Sequence, residues 1–108
     1  MANKLTSKEI LGRKDQFVYL DVREADELEE GKIGAAANVP LGQLIRKARQ
    51  GDMNFLKKEK IITYCSSGYR GNIAADELNK LGFDAVTIEG GYSAWKEYVN
   101  KKKDSNNE

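Results

Sequence analysis

The chain contains a single cysteine, Cys65, within Lys60-Ile-Ile-Thr-Tyr-Cys65-Ser-Ser-Gly-Tyr-Arg70-Gly-Asn-Ile-Ala-Ala-Asp-Glu-Leu78. An apolar, β-branched run leads into the thiol, a short Ser/Gly loop follows, and a helical pattern begins at once. A strand–loop–helix turn of this kind directs backbone N–H groups and the positive end of a helix at one point, where Cys65 would sit. Such a place favours the thiolate, the nucleophilic form of cysteine. The rest of the residue inventory restricts what that thiolate can do. The sequence has no histidine, which excludes a Cys-His or Ser-His catalytic pair and every histidine-based zinc site. A lone cysteine excludes an internal disulfide, a CxxC redox pair and an in-chain resolving thiol. Neither a metal site nor a cofactor is expected.

A two-step sulfur transfer fits these residues. The Cys65 thiolate attacks the outer sulfur of a donor such as thiosulfate, and sulfite departs. A persulfide, Cys65–S–S⁻, remains for a second nucleophile to strip. Sulfite is a stable anion that leaves without a proton, so the step needs no general acid and the missing histidine is no obstacle. The persulfide is itself an anion, and the loop's task is to orient the attack and to stabilise that anion.

The composition agrees with a small globular protein. The chain of 108 residues makes one domain. Its net charge of +1 leaves no electrostatic footprint for nucleic acid. No apolar stretch approaches the roughly 20 residues of a membrane span. Nothing at the N-terminus resembles a signal peptide, so a reducing, cytoplasmic setting is expected.

Several elements must position the thiol. Thr6-Ser-Lys-Glu9 reads as a capping box, opening a short helix that runs to about Gly12. Gln16–Asp21 reads as a buried strand, and the acidic stretch Glu24–Glu30 as a helix ended by Gly31. Ala37–Val39 predicts a brief strand. Leu41, Leu44, Ile45 and Ala48 have helical spacing up to Gly51. Ile61–Cys65 is a second buried strand, followed past the loop by a helix with Ala74, Leu78 and Leu81 on one face. Asp84–Ile88 is the next strand. Gly90-Gly91 turns the chain into a last helix whose Tyr92, Trp95 and Val99 share a face, which makes Trp95 a core residue. Strands alternating with helices predict an α/β fold of three layers, a mostly parallel central sheet with helices on both faces. Ligands gather at the carboxyl ends of such strands. Asp21-Val-Arg23 and Cys65–Arg70 both fall there and should be neighbours, with Asp21 and Arg23 as scaffold. Tyr69 is an exposed loop aromatic able to gate the pocket. Lys57–Lys60 and Lys101–Lys103 read as solvated charge.

Four blocks in order resemble the rhodanese-like (thiosulfate sulfurtransferase) family. Leu20-Asp-Val-Arg-Glu24 resembles its LDVRE-type element, and Glu30-Gly-Lys-Ile-Gly-Ala-Ala-Ala-Asn-Val-Pro40 its GHIPGAxNIP segment. Tyr64-Cys-Ser-Ser-Gly-Tyr-Arg70 is similar to its C-R-S-G-x-R loop, and Gly90-Gly-Tyr-Ser-Ala-Trp95 to its GGxxAW ending. The resemblance implies a rhodanese-like domain over residues 5–99, followed by a polar, flexible tail at 100–108. It implies Cys65 as the persulfide-forming nucleophile and the amides of Ser66, Ser67, Gly68, Tyr69 and Arg70 as its cradle, with Arg70 closing the loop through Asp21. The implied partners are small sulfur donors and acceptors (thiosulfate, cyanide, thiols) or a sulfur-relay protein, with no nucleic acid and no membrane. Lys32 replaces the histidine of the GHI turn, and Gly34-Ala35 replaces its Pro-Gly. Ser66 stands where many members carry a basic residue, which weakens the case for thiosulfate and favours a neutral or protein-borne persulfide donor.

Three other functions use a similar chain. A Cys-based phosphatase or arsenate reductase needs a longer C-x5-R loop than the four residues between Cys65 and Arg70. A protein-to-protein persulfide relay would share the Cys65 chemistry with poor turnover on thiosulfate and cyanide. A non-catalytic interaction module would use the same fold without the thiol.

Overall fold

A computed structural model describes residues 2–106. Five parallel strands form one sheet: β1 (Lys4–Leu5), β2 (Val18–Asp21), β3 (Ala37–Asn38), β4 (Lys60–Tyr64) and β5 (Asp84–Ile88). Their spatial order is β1-β5-β4-β2-β3. Four α-helices, α1 (Ser7–Leu11), α2 (Leu41–Arg49), α3 (Tyr69–Lys80) and α4 (Gly91–Asn106), cover it, with 3-10 turns at Lys14–Gln16, Ala25–Glu30 and Asn54–Leu56. The predicted α/β architecture is therefore present. No helix among the described residues is long and apolar enough to cross a membrane.

Two cores result, one on each face of the sheet. Ile61 of β4 packs with Leu44 and Ala48 of α2 and with Ala74 and Leu78 of α3. Its neighbours Ile62 and Tyr64 belong to the opposite core, with Ile10 of α1 and Tyr92 and Trp95 of α4. This is the two-residue period of a strand buried on both sides. Trp95 is a core residue, as its spacing predicts.

Strand register brings the two polar clusters together. β2 pairs with β4 from Val18↔Ile61 to Asp21↔Tyr64, and the Val22 amide continues the ladder to the Tyr64 carbonyl at 2.9 Å. From β2 the chain moves outward to β3, then returns to β4 and proceeds to β5 on the other side. The crevice between the carboxyl ends of β2 and β4 is thus a switch point, the place where parallel sheets bind ligands.

Three elements differ from the sequence reading. β1 is an addition; its two residues pair with Thr87 and Ile88 and are too few to display an alternating pattern. The acidic segment is a 3-10 turn, with Glu27 N–H donating to the Glu24 carbonyl at 3.0 Å and Gly31 N–H to Leu28 at 2.9 Å. A buried arginine described below also takes its carbonyls. Finally, α4 continues through the polar tail to Asn106, helped by the Glu97–Lys101 pair at 3.1 Å. Residues 107 and 108 of that tail lie outside the described residues.

The first turn of α3 is held hard against the sheet. The Thr63 hydroxyl donates to the Gly71 carbonyl at 2.7 Å, and the Thr87 hydroxyl donates to the Thr63 carbonyl at 2.8 Å. A Cβ at Gly71 would lie 2.7 Å from Thr87 Oγ1 and 2.9 Å from Tyr64 Cα. Backbone on one side and a hydrogen-bonded threonine on the other leave no room to relax. Gly71→Ala is expected to destabilise the fold by about 1–3 kcal/mol, read as a lower urea midpoint with an unchanged m-value.

Candidate active site

Cys65 follows the last residue of β4, and its side chain is buried among Leu20, Val22 and Ala74. Two backbone amides converge on its sulfur: Gly68 N–H donates to Sγ at 3.2 Å and Gly71 N–H at 3.4 Å. Gly71 is the third residue of α3, so the sulfur lies at that helix's positive end. The amides of Tyr69 and Arg70, the first two residues of α3, have no partner within the helix.

The loop is held from above by α4. The Tyr92 amide donates to the Cys65 carbonyl at 2.8 Å and the Ser93 amide to the Ser66 carbonyl at 3.0 Å. In a planar trans peptide the carbonyl and the following N–H point in opposite directions. The amides of Ser66 and Ser67 therefore point away from α4. Gly91 makes this contact possible. Its φ is +65°, and a Cβ there would lie 2.7 Å from both carbonyl oxygens and 2.8 Å from the Gly68 nitrogen.

Arg70 does not pair with Asp21. Its guanidinium makes a bidentate bond to Glu27, with Nη1–Oε1 and Nη2–Oε2 both at 2.6 Å. Asp21 is already saturated by Arg23, whose Nη2 donates to Oδ2 at 2.6 Å and whose Nε donates to Oδ1 at 2.9 Å. Arg23 and Asp21 are 1% and 0% exposed, which leaves no path to Arg70. The Arg23 guanidinium lies 4.7 Å from the Tyr92 ring centroid and 5.9 Å from that of Tyr64. Its remaining donors bond the Glu27 carbonyl at 3.3 Å and the Gly31 carbonyl at 2.7 Å. The buried arginine thus fixes the backbone of the 3-10 turn from which Glu27 reaches Arg70. Hydrogen bonding to Asp21 raises the Arg23 pKa still further. The Glu27 carboxyl is lowered to about 2, first by Arg70 and then by the Glu24 amide. Burial pushes the Tyr64 phenol above its ordinary range, and that oxygen accepts from the Ile33 amide at 3.1 Å.

The rhodanese-like domain family matches residues 6–98. The chain belongs to the rhodanese-like family. A provisionally named mitochondrial thiosulfate sulfurtransferase of Schizosaccharomyces pombe is 34% identical over 96 residues, covering 80% of this chain and 66% of that protein. The chain therefore spans just under two thirds of that relative's length. The provisionally named sulfurtransferase YtwF of Bacillus subtilis is 32% identical over 88 residues, covering 82% of each. Among solved structures, a rhodanese-related protein of Thermoplasma volcanium superposes with a TM-score of 0.76 at 28% identity, covering 89% of this chain and 92% of that one.

Within this rhodanese-like domain the predicted loop, Ser66 to Arg70, surrounds the Cys65 end of β4. Ser67 and Tyr69 are exposed, Tyr69 at 77%, and Ser66, Gly68 and Arg70 are half-buried. Lys32, in the turn that departs from the family pattern, donates to the Ala36 carbonyl at 3.2 Å. A cavity of about 230 Å³ opens beside the loop, lined by Ser66, Asp26, Glu27, Glu29 and Glu30. Sequence reasoning missed four contributors: Glu27, Thr63, Gly71 and Gly91. Only the glycines left a signal, one directly after the loop arginine and one in a pair heading a helix.

The Glu27–Arg70 pair makes stability depend on acid. A folded-state pKa of about 2, below the usual 4.5, stabilises the protein fully above about pH 4.5. That contribution is lost as pH falls toward 2. Glu27→Gln is expected to destabilise the protein near neutrality, and its urea midpoint should converge on the wild-type value across this acid range.

Proposed function

We propose that this rhodanese-like protein is a sulfurtransferase that works through a persulfide on Cys65. The convergence of the Gly68 and Gly71 amides on Sγ carries the reading. In the first half-reaction the Cys65 sulfur attacks the sulfane sulfur of a donor such as thiosulfate. A new S–S bond forms while the sulfur–sulfonate bond breaks, and sulfite leaves with the bonding electron pair. In the second, an acceptor such as cyanide or a thiol takes the outer sulfur and the electron pair returns to Cys65. The electrons stay within the sulfur bonds, so the cycle needs no redox cofactor. The outer sulfur stands about 2 Å beyond Sγ. The amides of Tyr69 and Arg70, which have no partner within α3, are the natural donors to its negative charge.

The loop carbonyls held by α4 support the same reading, because they leave the neighbouring amides turned the other way. A misplacement of this cradle by about 1 Å is worth up to roughly a hundredfold in rate. Gly91→Ala, which drives a methyl group into both carbonyls, is expected to slow sulfur loading by about 10- to 100-fold.

Intact-protein mass after incubation with a sulfane donor tests the proposal. Wild type should gain one sulfur, about 32 Da, that cyanide removes, and Cys65→Ser should gain nothing. Absence of the gain with thiosulfate and with every persulfide donor tried would leave the fold as an interaction module. Turnover with thiosulfate and cyanide then separates an enzyme from a protein-to-protein relay.

A further inference from the structure

The loop carries one cationic side chain, Arg70, and Glu27 neutralises it through two bonds of 2.6 Å. Ser66 adds no charge. The cavity beside Ser66 is walled by carboxylates, of which Glu27 is committed to Arg70. Asp26, Glu29 and Glu30 are exposed, and none of them takes part in an ion pair among the described residues. On the far side of Glu30 a groove along α4 carries Lys96 and Lys101, the latter paired with Glu97. The cavity next to Ser66, the residue that follows Cys65, is therefore net negative, although thiosulfate is a dianion.

We infer that Asp26, Glu29 and Glu30 determine donor specificity. They oppose dianionic donors and favour a persulfide carried on a cysteine flanked by basic residues. This assignment rests on Cys65 being the sulfur acceptor. The transfer balances without a further reagent: Cys65–S⁻ attacks the terminal sulfur of R–S–S–H, a new S–S bond forms, and the donor's own S–S bond breaks. The electron pair leaves on R–S⁻, and the proton remains on the transferred sulfur. Three unit charges about one Debye length from a dianion change its rate roughly fivefold at about 0.1 M salt. Two monovalent probes of opposite sign differ in response by a similar factor.

The test neutralises the rim with Asp26→Asn, Glu29→Gln and Glu30→Gln together, leaving Glu27 in place. Cys65 is modified by a cationic methanethiosulfonate bearing trimethylammonium and by an anionic one bearing sulfonate. Each forms a mixed disulfide and releases methanesulfinate. The cationic-to-anionic rate ratio is expected to fall about fivefold in the triple variant, and thiosulfate loading to accelerate by about the same factor. Both differences should disappear at about 1 M salt. A cysteine-persulfide peptide with flanking lysines should load wild type faster than one with flanking glutamates, and the triple variant should narrow that gap. An unchanged ratio together with unchanged thiosulfate loading overturns the assignment. Where neither charged reagent reaches the thiol, thiosulfate loading decides alone, acceleration supporting the rim and constancy overturning it. A shifted ratio in a protein that no sulfane donor loads overturns the sulfurtransferase reading, and the donor assignment with it.

Discussion

Two carbonyl groups organise this molecule. Those of Cys65 and Ser66 are bonded by the first amides of α4, at 2.8 and 3.0 Å, and peptide planarity then turns the next two amides the other way. From the opposite side Thr63 ties the first turn of α3 through the Gly71 carbonyl. The thiol thus stands where the amino ends of two helices, one from each face of the sheet, meet a single strand. The strand order that puts β4 between β5 and β2 brings those two ends within reach of each other.

The charged groups form a second, interlocking arrangement. Arg23 and Asp21 are an ion pair removed from water, an arrangement whose desolvation cost can match its attraction. What it secures here is a conformation. Packed by two tyrosine rings and bonded to two backbone carbonyls, Arg23 sets the turn on which Glu27 is presented. Glu27 then takes Arg70, and so closes the loop at the residue whose peptide bond carries the Gly71 amide that donates to the sulfur. Structural and chemical charges are kept apart: one arginine is wholly scaffold, and the other is held by a half-exposed carboxylate at the rim.

Features encoded by neighbouring residues were legible in the sequence. The Thr6–Glu9 capping box forms with both reciprocal bonds. The bounds of β5 coincide with Asp84–Ile88, and the helical face of Tyr92 and Trp95 is buried. The loop's location was legible too, because the switch from a strand period to a helix period brackets it. The partner of Arg70 was hidden for a different reason. It lies 43 positions away, and Asp21, Glu24, Asp26, Glu27, Glu29 and Glu30 present six carboxylates within ten residues of chain. Only the buried Asp21–Arg23 pair and the 3-10 geometry single out Glu27. The role of Gly91 was hidden because a close approach between segments leaves no periodic trace.

The pieces that hold the Cys65 loop and the first turn of α3 come from four separated parts of the chain: the 3-10 turn with Glu27, the loop itself, Thr87 on β5, and the start of α4. No local fragment contains them all. The environment of Cys65 is consequently a property of the assembled fold, and in the unfolded chain the same residue is an ordinary exposed thiol. The thiol's surroundings are therefore coupled to folding, down to local openings of single elements. Any partial opening that frays the first turn of α4 removes the cage before the rest of the sheet is disturbed.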